Sequence, residues 1–168
     1  MDAEPGAVSI RELRPDDWAA LRAIYEDGIR SGDATFETET PSWERWDAAH
    51  SELRLVAERE GSIVGWAALS PVSERCCYRG VGEVSVYVEE DARGAGVGRA
   101  LLDELVNRSE RDGYWTLTAG VFPENEVSIR LHKACGFREV GVRERLGELH
   151  GVWRDVILLE RRSTLVGT

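Results

Sequence analysis

The most constraining stretch of the chain is Glu83-Val84-Ser85-Val86-Tyr87-Val88-Glu89-Glu90-Asp91-Ala92-Arg93-Gly94-Ala95-Gly96-Val97-Gly98-Arg99-Ala100-Leu101-Leu102. A β-branched run feeds a glycine-rich turn, and the turn opens directly onto a helix with Val97, Leu101, Leu102, Leu105 and Val106 on its buried face. The first N–H groups of a helix have no partners within it and lie at the positive end of its dipole. The turn is therefore an anion-binding element, and its glycines let the backbone approach the ligand closely.

Strand period places Glu83, Ser85 and Tyr87 on one face and Val84, Val86 and Val88 on the other, so Glu83 stands apart from the apolar stripe. Around this unit the pattern predicts a first strand over residues 8–14, stopped by Pro15. A helix capped by Asp16 or Asp17 follows, carrying Trp18, Leu21, Ile24, Tyr25 and Ile29 on one face and weakened by Gly28 and Gly32. A polar loop over 31–41 bears one large apolar residue, Phe36, before a short helix that begins at Ser42. Residues 53–58 and 63–69 form a hairpin, and 114–121 a further strand. A helix from Asn125 through Cys135 stops at Gly136. Strands over 137–146 and 152–161 flank a turn at 147–151, and the tail from Ser163 is expected to be loose. With 168 residues and 42% hydrophobic content, these segments make a single domain over 1–168, with its core at about 8–162.

A net charge of −10 argues against a nucleic-acid partner, which calls for a basic face, and an anionic ligand requires a locally positive pocket. No stretch reaches the ~20 apolar residues of a membrane span. The start Met1-Asp2-Ala3-Glu4-Pro5-Gly6 has neither a basic beginning nor an apolar run. With the odd set Cys76, Cys77 and Cys135, this points to reduced thiols and a cytoplasmic location. Cys76-Cys77 has no His or Cys cluster at ligand spacing, so no metal is expected.

A dinucleotide fingerprint would need glycine at position 99, which is Arg99, and a phosphate-binding Walker loop would need Lys and Ser or Thr where Arg99-Ala100 stand. What remains is Arg93-x-x-Gly96-x-Gly98 after a strand and at a helix start. Together with Asn125-x-x-Ser128-x-x-Leu131-His132-x-x-x-Gly136-Phe137, it resembles the GCN5-related N-acetyltransferase (GNAT) superfamily over Ile10 to about Arg161. Within it, the chain is similar to the phosphinothricin and methionine-sulfoximine acetyltransferase group. The shared residues are Ala34-Thr35-Phe36-Glu37-Thr38, Glu83-x-Ser85-Val86-Tyr87-Val88, His132 and His150-Gly151-x-Trp153-x-Asp155. Val81 departs from the threonine that the group often carries two residues before the glutamate.

The resemblance implies an α/β fold with a mixed, mostly antiparallel central sheet and flanking helices. It further implies acetyl-CoA as acetyl donor, a small amino-acid-like amine as acceptor, and a homodimer. The cofactor residues it implies are the backbone of Val86, Tyr87 and Val88 for the pantetheine arm, and Arg93, Gly94, Ala95, Gly96, Val97, Gly98 and Arg99 for the pyrophosphate. Asn125, otherwise a helix cap, and Ser128 complete that set. Glu83 is the first candidate for the general base, against a structural ion pair with an arginine. His132 is the second acid/base candidate, to protonate the CoA thiolate or to help deprotonate the amine. For the acceptor, Arg79 is read as a bidentate carboxylate partner or as an ion-pair partner of Glu83, with Phe36 and Glu37 shaping the amine side. His150, Trp153 and Asp155 either form another wall or brace the last hairpin. Two alternatives stay open: a non-catalytic acetyl-CoA-binding or sensing module, and an acetyltransferase for a peptide N-terminus or another amine.

Overall fold

A computed structural model describes residues 6–168; residues 1–5, part of the start read above as lacking an export signal, lie outside them. In chain order the elements are β1 (Ser9–Glu12), α1 (Trp18–Ser31), α2 (Trp43–Ala49), β2 (Leu53–Arg59), β3 (Ser62–Pro71), β4 (Val81–Val88), α3 (Val97–Arg111), β5 (Thr116–Val121), α4 (Glu126–Ala134), β6 (Arg138–Leu149) and β7 (Val152–Arg162). The strands form one seven-stranded sheet in the order β1-β2-β3-β4-β5-β7-β6. Every neighbouring pair is antiparallel except β4 with β5. This is the mixed, mostly antiparallel sheet with flanking helices that the sequence led us to expect.

Alternation along the inner strands sets the layers. Leu55, Ala57, Ala67, Leu69 and Val84 join Val97, Leu101, Leu102 and Leu105 of α3 in one core. Val56, Trp66 and Ala68 point the other way and pack with Leu21, Ile24 and Tyr25 of α1 and Trp46 of α2. Because both faces are covered, these strands read as nearly continuous apolar runs.

Several boundaries differ from the sequence reading. The first strand is shorter than expected. Asp17 does not cap α1 with its side chain; its carboxylate takes two bonds from the Arg11 guanidinium and one from the Arg14 N–H. The last hairpin runs further than 146 and turns only at His150 and Gly151, both in the left-handed region with φ of 49° and 78°. The tail is not loose. Ser163 is buried and bonds Glu110, its hydroxyl accepts the N–H groups of Leu165 and Val166, and Arg162 donates to carbonyls of Ser163, Val166 and Gly167.

Candidate active site

The site begins where two parallel strands part. β4 and β5 pair only over Val81↔Thr116, Gly82↔Leu117 and Glu83↔Thr118, and then separate. On its other edge β4 stays paired with β3 up to Val88. The Glu89 N–H bonds the Val64 carbonyl, and backbone direction alternates along an antiparallel strand. Beyond the last β4–β5 pair, Val86 and Val88 therefore turn their N–H and C=O groups into the gap beside β5, together with the Val84 carbonyl. That gap is a strand edge to which an extended ligand can add. The Val88 carbonyl already accepts a bond from Arg93 Nε at 3.2 Å.

On the α3 side of the gap lies a cavity of about 580 Å³ lined by Val86, Tyr87, Val88, Arg93, Gly94, Gly96, Val97, Gly98, Arg99, Asn125, Ser128 and Arg130. Gly94 and Gly96 adopt φ of 79° and 82°, which curls the backbone into a concave nest. The first helical bond of α3 runs from the Ala100 N–H to the Gly96 carbonyl. Among the described residues, no N–H over 94–99 has a protein acceptor. These donors are what the cavity offers an anionic ligand; its charged side chains balance, with Arg93, Arg99 and Arg130 beside Asp33, Glu124 and Glu126, and Arg99 and Arg130 paired with Asp103 and Glu126. Ala95 belongs to the nest but does not line the cavity.

The second cavity, about 310 Å³, adjoins the first at Asp33, Ala34, Val86, Tyr87, Asn125 and Ser128. Glu83, Ser85, Gly120, Phe122, His132 and Arg143 are among its walls. Glu83 keeps exposed surface, yet it stands inside a concavity. The crowding protein strips part of its hydration and pushes its carboxyl above the ordinary value, while Arg143 pulls it back. His132 is 4% exposed, and burial lowers its pKa below the ordinary 6.5. Its Nδ1 lies 2.7 Å from the Ser128 carbonyl oxygen, which can only accept, so Nδ1 carries the proton and Nε2 keeps its lone pair. The ring is held edge-on to Phe137 at 5.2 Å.

A strap over residues 32–36 roofs the junction of the two cavities. Arg154 donates to the Gly32 carbonyl, Asp33 and Glu124, with its guanidinium 4.1 Å from the Phe122 ring centre. Asn125 caps α4 through the Ser128 N–H and also donates to the Asp33 carbonyl, so the cap reading and the cavity placement both hold. Phe36 lines the second cavity and packs edge-on against Phe122 at 4.9 Å.

Other sequence candidates are not brought to this cleft. Glu37 does not line it; the phenols of Tyr25 and Tyr87 are raised chiefly by burial, to which the charge of Glu37 adds. Arg79 sits before β4, 5.4 Å over the Trp115 ring and bonded to the Cys76 carbonyl, outside both cavities. His150, Trp153 and Asp155 line a separate depression with Arg154. Asp155 accepts the Arg145 N–H at 2.7 Å and braces the irregular stretch between Arg143 and Gly147 of β6. That stretch delivers Arg143 and Leu146 to the second cavity, which sequence reasoning missed because no local motif marks either residue.

Comparison with known proteins gives a consistent picture. The model of the Acetyltransferase (GNAT) family matches residues 10–137. Phosphinothricin N-acetyltransferase of Alcaligenes faecalis is 38% identical over 92% of this chain and 82% of its own length. L-methionine sulfoximine/L-methionine sulfone acetyltransferase of Pseudomonas aeruginosa is 31% identical over 92% of this chain and 94% of its own. The crystal structure of a GNAT superfamily phosphinothricin acetyltransferase from Sinorhizobium meliloti in complex with AcCoA superposes with a TM-score of 0.87. It is 31% identical, over 95% of this chain and 90% of that one.

Proposed function

The chain belongs to the acetyltransferase (GNAT) family and is an acetyl-CoA-dependent N-acetyltransferase, and from that premise we propose that its acceptor is the free amine of a small amino-acid-like molecule. Phosphinothricin, methionine sulfoximine and methionine sulfone define the class, on the names of its relatives. One observation carries the reading: the parting of β4 and β5 joins a donor-rich nest to a small cavity that holds both Glu83 and His132.

In this reading the pyrophosphate of acetyl-CoA lies on the N–H groups over 94–99, and the pantetheine arm adds to β4 through Val86 and Val88. A β4 N–H facing the gap, that of Val86 foremost, donates to the thioester carbonyl. Such a donor is worth ~3 kcal/mol as the carbonyl oxygen gains charge. The amine arrives mostly as an ammonium group and gives one proton to Glu83, directly or through water. Its lone pair then attacks the carbonyl carbon. His132, kept neutral by burial with Nε2 free, takes the second proton as the C–S bond breaks and returns it to the departing thiolate sulfur. The products are the acetylated amine and CoA thiol, with one net proton released.

The test is a panel of free amino acids, their analogues and short peptides with acetyl-CoA, following both thiol release and acetylated product. Methionine sulfone or phosphinothricin should lead the panel. A peptide that outcompetes every free amino acid would overturn the acceptor assignment.

A further inference from the structure

We propose that Arg143 is the residue that binds the α-carboxylate of the acceptor, facing Glu83 across the floor of the small cavity; the proposal rests on the amino-acid reading above. Strand parity puts the two residues on one face of the sheet. Glu83 pairs with Thr118, and Gly120 lies two residues further along β5 on the same face. Gly120 pairs with Leu158 of β7, Val156 follows on that face, and Val156 pairs with Arg143 of β6. Between the carboxylate and the guanidinium the β5 position is a glycine, so the floor is low there. A Cβ on Gly120 would come within 3.1 Å of Val156 Cγ1.

Arg143 is the one arginine or lysine that lines this cavity among the described residues, and there it has no hydrogen bond or ion pair. It is exposed, and its charge is felt at Glu83. The amine and carboxylate of an α-amino acid are separated by a single carbon. An acceptor whose amine meets Glu83 thus presents its carboxylate to the guanidinium that already acts on Glu83. The planar fork matches a carboxylate with two parallel bonds. Leu146, Phe36, Phe122 and Val156 remain as an apolar wall for the acceptor side chain. Arg79, the sequence choice for this task, is stacked on Trp115 outside the cavity.

The experiment compares methionine sulfone with its carboxamide on wild type, Arg143→Gln and Arg143→Lys at saturating acetyl-CoA. Wild type should prefer the acid. Arg143→Gln should raise KM for the acid by about tenfold to a hundredfold, the range for a lost hydrogen bond to a charged group, and leave the amide within about twofold. Arg143→Lys should recover part of the loss. The amide arm also separates anchoring from an altered field at Glu83, since a changed base affects both substrates alike. Equal changes for acid and amide, an unchanged acid KM, or no wild-type preference would overturn the proposal. Failure of the amino-acid reading shows differently, as wild type that turns over neither ligand. Calorimetric titration of the same two ligands in the presence of CoA then decides: weaker binding of the acid alone in Arg143→Gln supports the anchor. Equal binding, or none to wild type, removes it.

Discussion

Tyr87 occupies the space that a side chain on Gly28 would need: a Cβ there would stand 2.7 Å from Tyr87 Cε1 and 2.8 Å from Cδ1. The ring cannot easily withdraw, being stacked on Trp66 at 4.7 Å and set edge-on to Tyr25 at 5.0 Å. A glycine inside α1, unfavourable for a helix by itself, thus lets the helix close over the strand that bears the site. Gly28→Ala should gain about 1 kcal/mol of helix propensity and lose about 1–3 kcal/mol to overpacking. The net expectation is a lower melting temperature together with a higher KM for acetyl-CoA, because Gly28 and Tyr87 both line the larger cavity. A more stable variant with unchanged KM would show that Tyr87 has room to move.

Glu83→Gln keeps the shape of the cleft and removes the carboxylate that we propose as the base. Turnover should fall about a hundredfold or more, the usual range for a lost general base, with acetyl-CoA affinity unchanged. In wild type the working form is the carboxylate, so kcat/KM should fall as pH drops through the Glu83 pKa. Crowding raises that value above the ordinary 4.5, and Arg143→Gln should move the acid limb higher still. A pH profile with no acid limb, or the same limb in Glu83→Gln, would remove Glu83 from the role.

His132 and His50 are both held below the ordinary 6.5, chiefly by burial. The unfolded chain therefore binds more protons than the native one as pH falls from about 6.5, and stability is lost in that direction. The contribution is complete above the unfolded value and declines through the lower folded values. Denaturant unfolding at pH 7.5 and 5.5 should show the native state weaker at the lower pH. The difference should shrink in a His50→Gln, His132→Gln double variant. His132→Gln alone should also lower kcat while leaving KM for acetyl-CoA near wild type.

Gly96 has open space around it, with no heavy atom within 4 Å of an added Cβ, but its φ of 82° is one that side chains rarely adopt. Gly96→Val should distort the nest at a backbone cost of about 1–2 kcal/mol and weaken CoA binding measured by calorimetry. The effect on kcat at saturation should be small. Unchanged affinity would place the pyrophosphate elsewhere.

How much of this was legible in the chain depends on how far each contact reaches. The nest over 94–99, the Ser42 cap of α2 and the alternation of Glu83 with Val84 are written within a few residues, and the structure has them as expected. Arg79 and Arg143 show the other case. Both are arginines in polar surroundings, and nothing local separates the one stacked on Trp115 from the one on the cavity wall. The tail failed for the same reason, since its hold on the domain runs through Glu110, more than fifty residues away.

By itself, then, the sequence determined the donor-rich nest that we propose for the cofactor, because a glycine turn at a helix start makes its donors from its own backbone. It also determined that Glu83 leaves the apolar face, because side-chain direction in a strand has period two. Tertiary structure alone decided what stands opposite Glu83. That depends on β7 lying between β5 and β6, and on an irregular stretch of β6 held by Asp155. Register across a sheet is the outcome of many distant pairings at once, so the strand that carries Arg143 holds no trace of the carboxylate it faces.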